Sequence, residues 1–327
     1  MKVLVFGAGV IGCYLAHVLS GAGNDVTLLA RGEWRRGLEQ NGLIIRHSLQ
    51  RKTTVDPLCI AGQPGAERYD AVFAVMQHQQ MWGIVDELAA IDAPLLVLVG
   101  NNMSASEMEQ AIHARSESPK TVLFGFQGTG GRREDGKVIC VRFGDGSMSI
   151  GGLHHMPSDA VRAELEAMFS GTKYRLTWVP DMDGWYKSHL TLILPVSYLC
   201  YATGCDLRRS TRAQRRQALD AAAEGYALLA DLGIPILPEG EDQYYRPGLK
   251  RAMMAAMVFG MAKTVVGDLA ASDHCRHAVT EMEGLDRAWA ELRSRRPDVA
   301  MPNWDALRGA MPDWAALHRQ YEGREAQ

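Results

Sequence analysis

The sequence predicts an α/β fold, a doubly wound sheet of mostly parallel strands followed by a mostly α-helical second domain. Three observations predict it. Short runs of Val, Leu, Ile and Phe alternate with helical patterns through the first half of the chain, as in parallel strands joined by crossover helices. A glycine turn, Gly7-Ala8-Gly9-Val10-Ile11-Gly12, follows the first of these runs at once and opens a helix. After Asp181 the strand signals almost vanish and long helical stretches take over.

The candidate strands Lys2–Phe6, Asp25–Ala30, Ala71–Met76, Pro94–Val99 and Thr121–Phe124 are almost continuously apolar, as suits strands buried on both faces. Helices fit between them at Val10–Ser20, around Trp34–Gln40, at Gln80–Ile91 and at Ser104–Ala114. Two further extended runs, Val138–Phe143 and Ser147–Ile150, follow a Gly-rich turn at Gly128–Gly131 and an Asp135-Gly136 step suited to a hairpin. Both are expected to extend the sheet's edge. A helix over Ser158–Phe169 with Ser158 as N-cap and a strand over Arg175–Val179 complete the domain. The Pro180-Asp181 step marks a boundary. It divides the chain into a dinucleotide-binding domain, residues 1–181, and a helical substrate and dimerisation domain, residues 182–327. Helices are expected in the latter at Gly184–Ala202, Thr211–Leu232, Leu249–Ala271 and His277–Ser294.

At 327 residues the chain is longer than one core usually supports. With 47% apolar and 22% charged residues, it can bury a core without a membrane or a disulfide framework. Six scattered cysteines form no C-x-x-C pair, which suits a reducing, cytoplasmic setting. The net charge of −3 and isolated Arg doublets argue against nucleic acid as a partner. Met1-Lys2 and the apolar run to Ala22 superficially resemble a secretory signal, but the glycines speak against one. The apolar run Leu190–Ala202 contains Pro195 and is too short to span a bilayer, so no transmembrane segment is expected.

The Gly7–Gly12 turn stands in the order strand, turn, helix, which makes it a strong Rossmann fingerprint. Gly7 permits the tight turn, Gly9 lets backbone approach a pyrophosphate, and Gly12 allows close helix–strand packing. The helix N-terminus, with Val10 and Ile11, faces the phosphates. An acid at the end of the second strand would bind the ribose of NAD; here the strand runs into Arg31, whose guanidinium suits a 2′-phosphate. NADP is therefore the expected cofactor. Arg35 and Arg36 either assist or sit on a solvated helix surface, and Glu33 keeps NAD open.

With these features the sequence resembles the ketopantoate reductase (2-dehydropantoate 2-reductase) family across nearly the whole chain. Further matches are Val97-Leu98-Val99-Gly100-Asn101-Asn102-Met103, where the family has an apolar strand ending in Asn-Gly-Met, and Trp185-Tyr186-Lys187, like its Trp-x-Lys. Gly204-Cys205-Asp206-Leu207-Arg208 looks like a downstream Gly-x-Leu segment. The resemblance implies NADPH-dependent reduction of a 2-oxo acid in pantothenate biosynthesis, with Lys187 as general acid and Asn101 near nicotinamide and substrate. It also implies that Glu281, in the pair Thr280-Glu281, contacts substrate hydroxyls. A positioned ammonium both stabilises the developing oxyanion and supplies its proton.

The departures bear on the substrate. Asparagines that the family carries four and eight positions after the lysine are here Thr191, which could keep one hydrogen bond, and Pro195, which should kink the helix. Gln77 stands where the family commonly has a lysine, near the cofactor. A member repurposed for another carbonyl or imine, and a non-catalytic NADP(H)-binding sensor, are the alternative readings.

Several other features have plain structural explanations. His274 and His277 share a helix face, but no further ligands accompany them, so a polar helix start is favoured over metal. His189 points about 200° from Lys187 around a helix and reads as structural. Met253, Met254, Met257 and Met261 recur at helical spacing as core or interface, the kind of surface that supplies a homodimer. The glycines of Gly125–Gly131 serve either a ligand crevice or only a turn.

Overall fold

Runs rich in β-branched and aliphatic residues form most of the strands in a computed structural model that describes residues 1–323. In chain order these are β1 (Lys2–Phe6), β2 (Asp25–Leu29), β3 (Leu43–His47), β4 (Lys52–Asp56), β5 (Cys59–Ala61), β6 (Ala71–Val75), β7 (Leu95–Val99), β8 (Thr121–Gln127), β9 (Thr129–Glu134), β10 (Lys137–Arg142), β11 (Ser147–Gly151) and β12 (Arg175–Trp178). The main sheet has the order β12-β11-β8-β7-β6-β1-β2-β5 and is parallel except where β11 pairs β8. Every residue of β6 and β7 is buried, as continuous apolar strands covered on both faces should be. The chain leaves β1 toward β2 on one side and returns to β6 on the other. The crevice at the carboxyl ends of β1 and β6 is therefore the topological switch point, where such sheets bind ligands.

Helices α1 (Val10–Gly21), α2 (Gly32–Asn41), α3 (His78–Trp82), α4 (Val85–Ala90), α5 (Ala105–Arg115) and α6 (Asp159–Met168) connect these strands. The Ser158 side chain caps α6 by accepting from the Val161 N–H. The expected single helix over Gln80–Ile91 is instead two, separated at Gly83-Ile84.

A second sheet, ordered β4-β3-β10-β9, corrects the expected edge of the first. Only Ser147–Gly151 joins the main sheet; Val138–Arg142 pairs with β3 and β9. The turn expected at Gly128–Gly131 is largely strand β9, and the hairpin reverses at Asp135-Gly136, both with positive φ. A Cβ at Gly131 would lie 1.9 Å from the Ile139 carbonyl oxygen, so glycine is what lets the two strands approach. Strands β3, β4 and β5 were not anticipated, since they are short and are defined by their pairing partners.

Contacts divide the chain into one unit over Met1–Met182 and another from Asp183 onward. The second contains α7 (Met182–Ala202), which runs on through Pro195, followed by α8 (Arg212–Asp231) and α9 (Leu249–Lys263). Then come α10 (Val265–Gly267), α11 (Asp273–His277), α12 (Val279–Ser294), α13 (Pro302–Ala310) and α14 (Trp314–Leu317). Thr211 and Gln214 form a capping box at the start of α8. The helix expected over Leu249–Ala271 stops at Lys263, because Thr264 is extended at φ −125°. The chain turns by 78° there. A Cβ at Gly267 would meet the Met261 carbonyl oxygen at 2.1 Å, so that glycine permits the tight turn.

The core of this unit stacks Trp289 on Trp304 at 4.8 Å. The buried Asp286 carboxylate accepts from Tyr198 at 2.6 Å, from Arg308 and from Trp314 at 3.0 Å. A buried charge with this many donors is compatible with an apolar core. Among the described residues no single helix is long and apolar enough to cross a membrane.

Candidate active site

The glycine loop joins β1 to α1 at the switch point. Gly7 has φ +122°, and a Cβ on it would lie 2.2 Å from the Val75 carbonyl oxygen, so the loop presses against the end of β6. A Cβ on Gly12 would lie 1.9 Å from the Gly7 carbonyl oxygen, whereas one on Gly9 would meet nothing within 4 Å. Gly7 and Gly12 are thus required by the protein's own packing, and Gly9 leaves backbone open to a visitor. Gly9 is the N-cap of α1 and supplies no side chain to it, and the first turn, with Val10 and Ile11, carries no acid. Such a helix start offers N–H groups and a positive dipole end to an anion.

Two side chains brace the loop. Trp34 Nε1 donates to the Ala8 carbonyl at 2.9 Å, and Gln127 Nε2 donates to the Ile11 carbonyl at 3.2 Å. The Arg133 guanidinium lies over the Trp34 ring at 5.5 Å. None of these three is flagged by a motif, because α2, β8 and β9 bring them to the loop from distant parts of the chain.

Arg31 is exposed at the N-cap of α2, just past the end of β2. Glu33 pairs with Arg36 at 3.3 Å, and Arg35 with Glu39 at 2.7 Å. The flanking arginines are thus engaged along the helix surface.

At the end of β6, Gln77 is the N-cap of α3, and its amide oxygen accepts from Gln79 at 2.6 Å. His78, Ser104 and Trp82 form a hydrogen-bonded cluster beside it, Trp82 Nε1 donating to Ser104 Oγ at 3.0 Å. Burial lowers the His78 pKa. At the end of β7, Gly100 takes φ +148° and is followed by two buried asparagines. Asn102 serves the local chain, accepting from the Ser104 N–H at 3.1 Å. Asn101 directly follows Gly100, at the carboxyl end of the central strands.

In the second unit, Lys187 is partly buried on α7, and its ammonium is ion-paired with Asp183 one turn earlier. The i, i+4 spacing places the two side chains on one face of the helix. His189 stacks on Trp185 with ring centroids 4.9 Å apart. Its pKa is pushed down to about 4, by burial first and then by the charge of His274. His274 Nε2 in turn lies 3.5 Å from the buried Glu281 carboxylate. The fold thus associates Glu281 with His274 and His189, two histidines that sequence reasoning set aside. His277 bonds elsewhere, its Nδ1 lying 2.8 Å from the Asp273 carbonyl oxygen.

Thr191 is fully buried, and its hydroxyl donates to the Ser188 carbonyl at 2.7 Å. It packs tightly on α8, where a Cβ at Gly225 would come within 3.2 Å of it.

Residues 3–155 match the family model described as ketopantoate reductase PanE/ApbA. Over that range the chain is similar to the ketopantoate reductase family. It is 25% identical over 272 residues to the uncharacterized oxidoreductase YkpB of Bacillus subtilis (strain 168), covering 82% of this chain and 86% of that protein. A 2-dehydropantoate 2-reductase of Mesorhizobium japonicum is 33% identical over 114 residues, 34% of this chain and 32% of that one. Solved structures share the fold. D-mandelate dehydrogenase, in a ternary structure with NADH and anilino(oxo)acetate, has a TM-score of 0.71 at 15% identity, covering 98% of this chain and all of that one. The 2-dehydropantoate 2-reductase from Methylococcus capsulatus has a TM-score of 0.65 at 18% identity, covering 100% of this chain and 98% of that one.

Gly7, Gly9, Gly12, Arg31, Gln77 and Asn101 all lie within the range that matches the ketopantoate reductase model, while Lys187 and Glu281 lie beyond it. The family is one of nicotinamide-dependent oxidoreductases. The fold is its Rossmann domain followed by a helical C-terminal domain.

Proposed function

We propose that the protein is an NADPH-dependent reductase of a 2-oxo acid, with Lys187 as general acid. The observation that carries the reading is the open backbone at Gly9, flanked by glycines whose own space is filled, at the switch point of the sheet. That arrangement fits a dinucleotide: the N–H groups of Val10 and Ile11 receive its pyrophosphate, and Arg31 its 2′-phosphate. Gln77 and Asn101 contribute neutral amides at the strand ends.

The bound cofactor supplies hydride to the carbonyl carbon. Lys187 holds a proton at Nζ and delivers it to the carbonyl oxygen as negative charge builds there, so that a 2-oxo acid becomes a 2-hydroxy acid. Such general-acid help contributes roughly 10²–10⁴-fold. Asp183 orients the ammonium through their ion pair, and Glu281 accepts a hydrogen bond from a substrate hydroxyl. The D-mandelate dehydrogenase neighbour, solved with a ligand that carries an oxo group beside a carboxylate, supports a substrate of this class.

The burial of Thr191 favours a 2-oxo acid other than 2-dehydropantoate, because neither it nor Pro195 offers a side-chain polar group there. An NADPH-oxidation assay with 2-dehydropantoate and a panel of alkyl and aryl 2-oxo acids, repeated with NADH, tests both points. Turnover of an aryl or branched substrate in preference to 2-dehydropantoate is expected. Tight NADPH binding without oxidation by any substrate would replace this reading with that of a sensor.

A further inference from the structure

The half of α1 away from the glycine loop carries Tyr14 and His17, which lie apart from that loop. Gly9 and His17 are eight residues apart, about 12 Å along the helix axis. There α1 meets the second sheet, and a cavity of about 120 Å³ opens among Tyr14, His17, Lys52, Arg142, Lys173 and Tyr174. Asp145 is the acidic member of the lining.

Arg142 is only 3% exposed. Its guanidinium lies 4.8 Å from the centroid of the Tyr14 ring, one Nη donates to the Gly144 carbonyl, and the other lies 3.3 Å from His47 Nδ1. Its Nε is buried with no partner. The neighbouring carboxylate of Asp56 is held by His17 Nδ1 at 2.7 Å, and among the described residues Arg142 makes no ion pair.

His47 offers no negative charge. Because Nδ1 faces a guanidinium it must accept there, which leaves the proton on Nε2, 2.9 Å from Thr54 Oγ1. Burial first, and then the charges of His17, Arg142 and Lys52, push the His47 pKa down to about 4, a sign that the local field is positive. A buried cation without a counter-ion is costly, and the space beside this one is rimmed by two exposed lysines.

We propose that this cavity binds a small oxyanion, the phosphate or carboxylate group of a metabolite, with Arg142 Nε, Lys52 and Lys173 as its donors. The anion supplies the charge that Arg142 lacks, and the two lysines draw it in. The site is separate from the glycine loop and holds whether or not the protein is a reductase.

Thermal unfolding of the full chain in inorganic phosphate, in acetate, and in sodium chloride at matched ionic strength tests it. Phosphate, acetate or both are expected to raise Tm saturably, by mass action on the folded state, beyond the chloride control. The double variant Lys52→Glu, Lys173→Glu should weaken that response at least tenfold, both positions being exposed and tolerant of change. The glycine loop also attracts phosphate, so Arg31→Ala provides the second arm and should keep the response. Phosphate acting alone identifies a phosphate site, and acetate acting alone a carboxylate site. Equal effects of all three salts overturn the proposal. So does a phosphate response that survives in the double variant but disappears in Arg31→Ala.

Discussion

A Cβ on Gly12 would stand 1.9 Å from the carbonyl oxygen of Gly7, so α1 leaves β1 at a distance that only glycine permits. Gly12→Ala must push the helix off the sheet, at a cost of about 1–3 kcal/mol. Gly9→Ala meets open space at φ −74°, and its stability should stay within about 0.5 kcal/mol of the parent. On the proposed reading its methyl group takes the place of a pyrophosphate, so cofactor affinity should fall at least tenfold. Urea unfolding and fluorescence titration separate the two effects, and unchanged affinity in Gly9→Ala would remove the cofactor from this loop.

Arg31→Ala should weaken NADPH and spare NADH. A charge-assisted hydrogen bond contributes about 1.5–3 kcal/mol, roughly 10–100-fold in Kd. The test is the ratio of the two dissociation constants in parent and variant, and equal losses would show that Arg31 does not read the 2′-phosphate.

Lys187→Ala should lower kcat by roughly 10²–10⁴-fold while leaving the Kd for cofactor unchanged. Asp183→Asn keeps the ammonium but removes its partner. It should reduce kcat/KM about tenfold by loosening the orientation of the ammonium. If Asp183 were only a helix-start residue, the variant would lose stability without lowering kcat/KM.

Acid should destabilise the N-terminal unit through His47, which is fully buried with its pKa lowered from 6.5 to about 4. The unfolded chain takes up this proton below pH 6.5 and the folded chain does not. The contribution is therefore complete above pH 6.5 and is lost as pH falls toward 4. At about 1.36 kcal/mol per pH unit the loss is on the order of 3 kcal/mol. His189, with its pKa also near 4, acts in the same window. His47→Gln should accordingly flatten the fall in urea stability between pH 7 and 4.5 without abolishing it. An unaltered pH dependence in the variant would assign the effect to other groups.

Much of this was legible along the chain. The strands of the main sheet that are buried on both faces are continuous apolar runs, and the fingerprint Gly7–Gly12 depends on residues at most five positions apart. Ser158 at its cap and the Asp135-Gly136 hairpin are equally local, since capping and turn geometry are decided by neighbouring backbone. The Lys187–Asp183 pair was within reach too, because i, i+4 spacing places both on one helix face.

Only the tertiary structure decided the rest. The second sheet assembles from segments more than 70 residues apart, β3 with β10, whose pairing no local pattern encodes. Trp34 braces the loop at Ala8 from 26 positions away, and Arg142 reaches His47 across 95. Thr191 looked available from its place on the helix, but the small residue at Gly225 lets α8 approach and seal it. Local geometry depends on nearest neighbours and is written in sequence order; burial and electrostatic environment depend on which distant elements pack together.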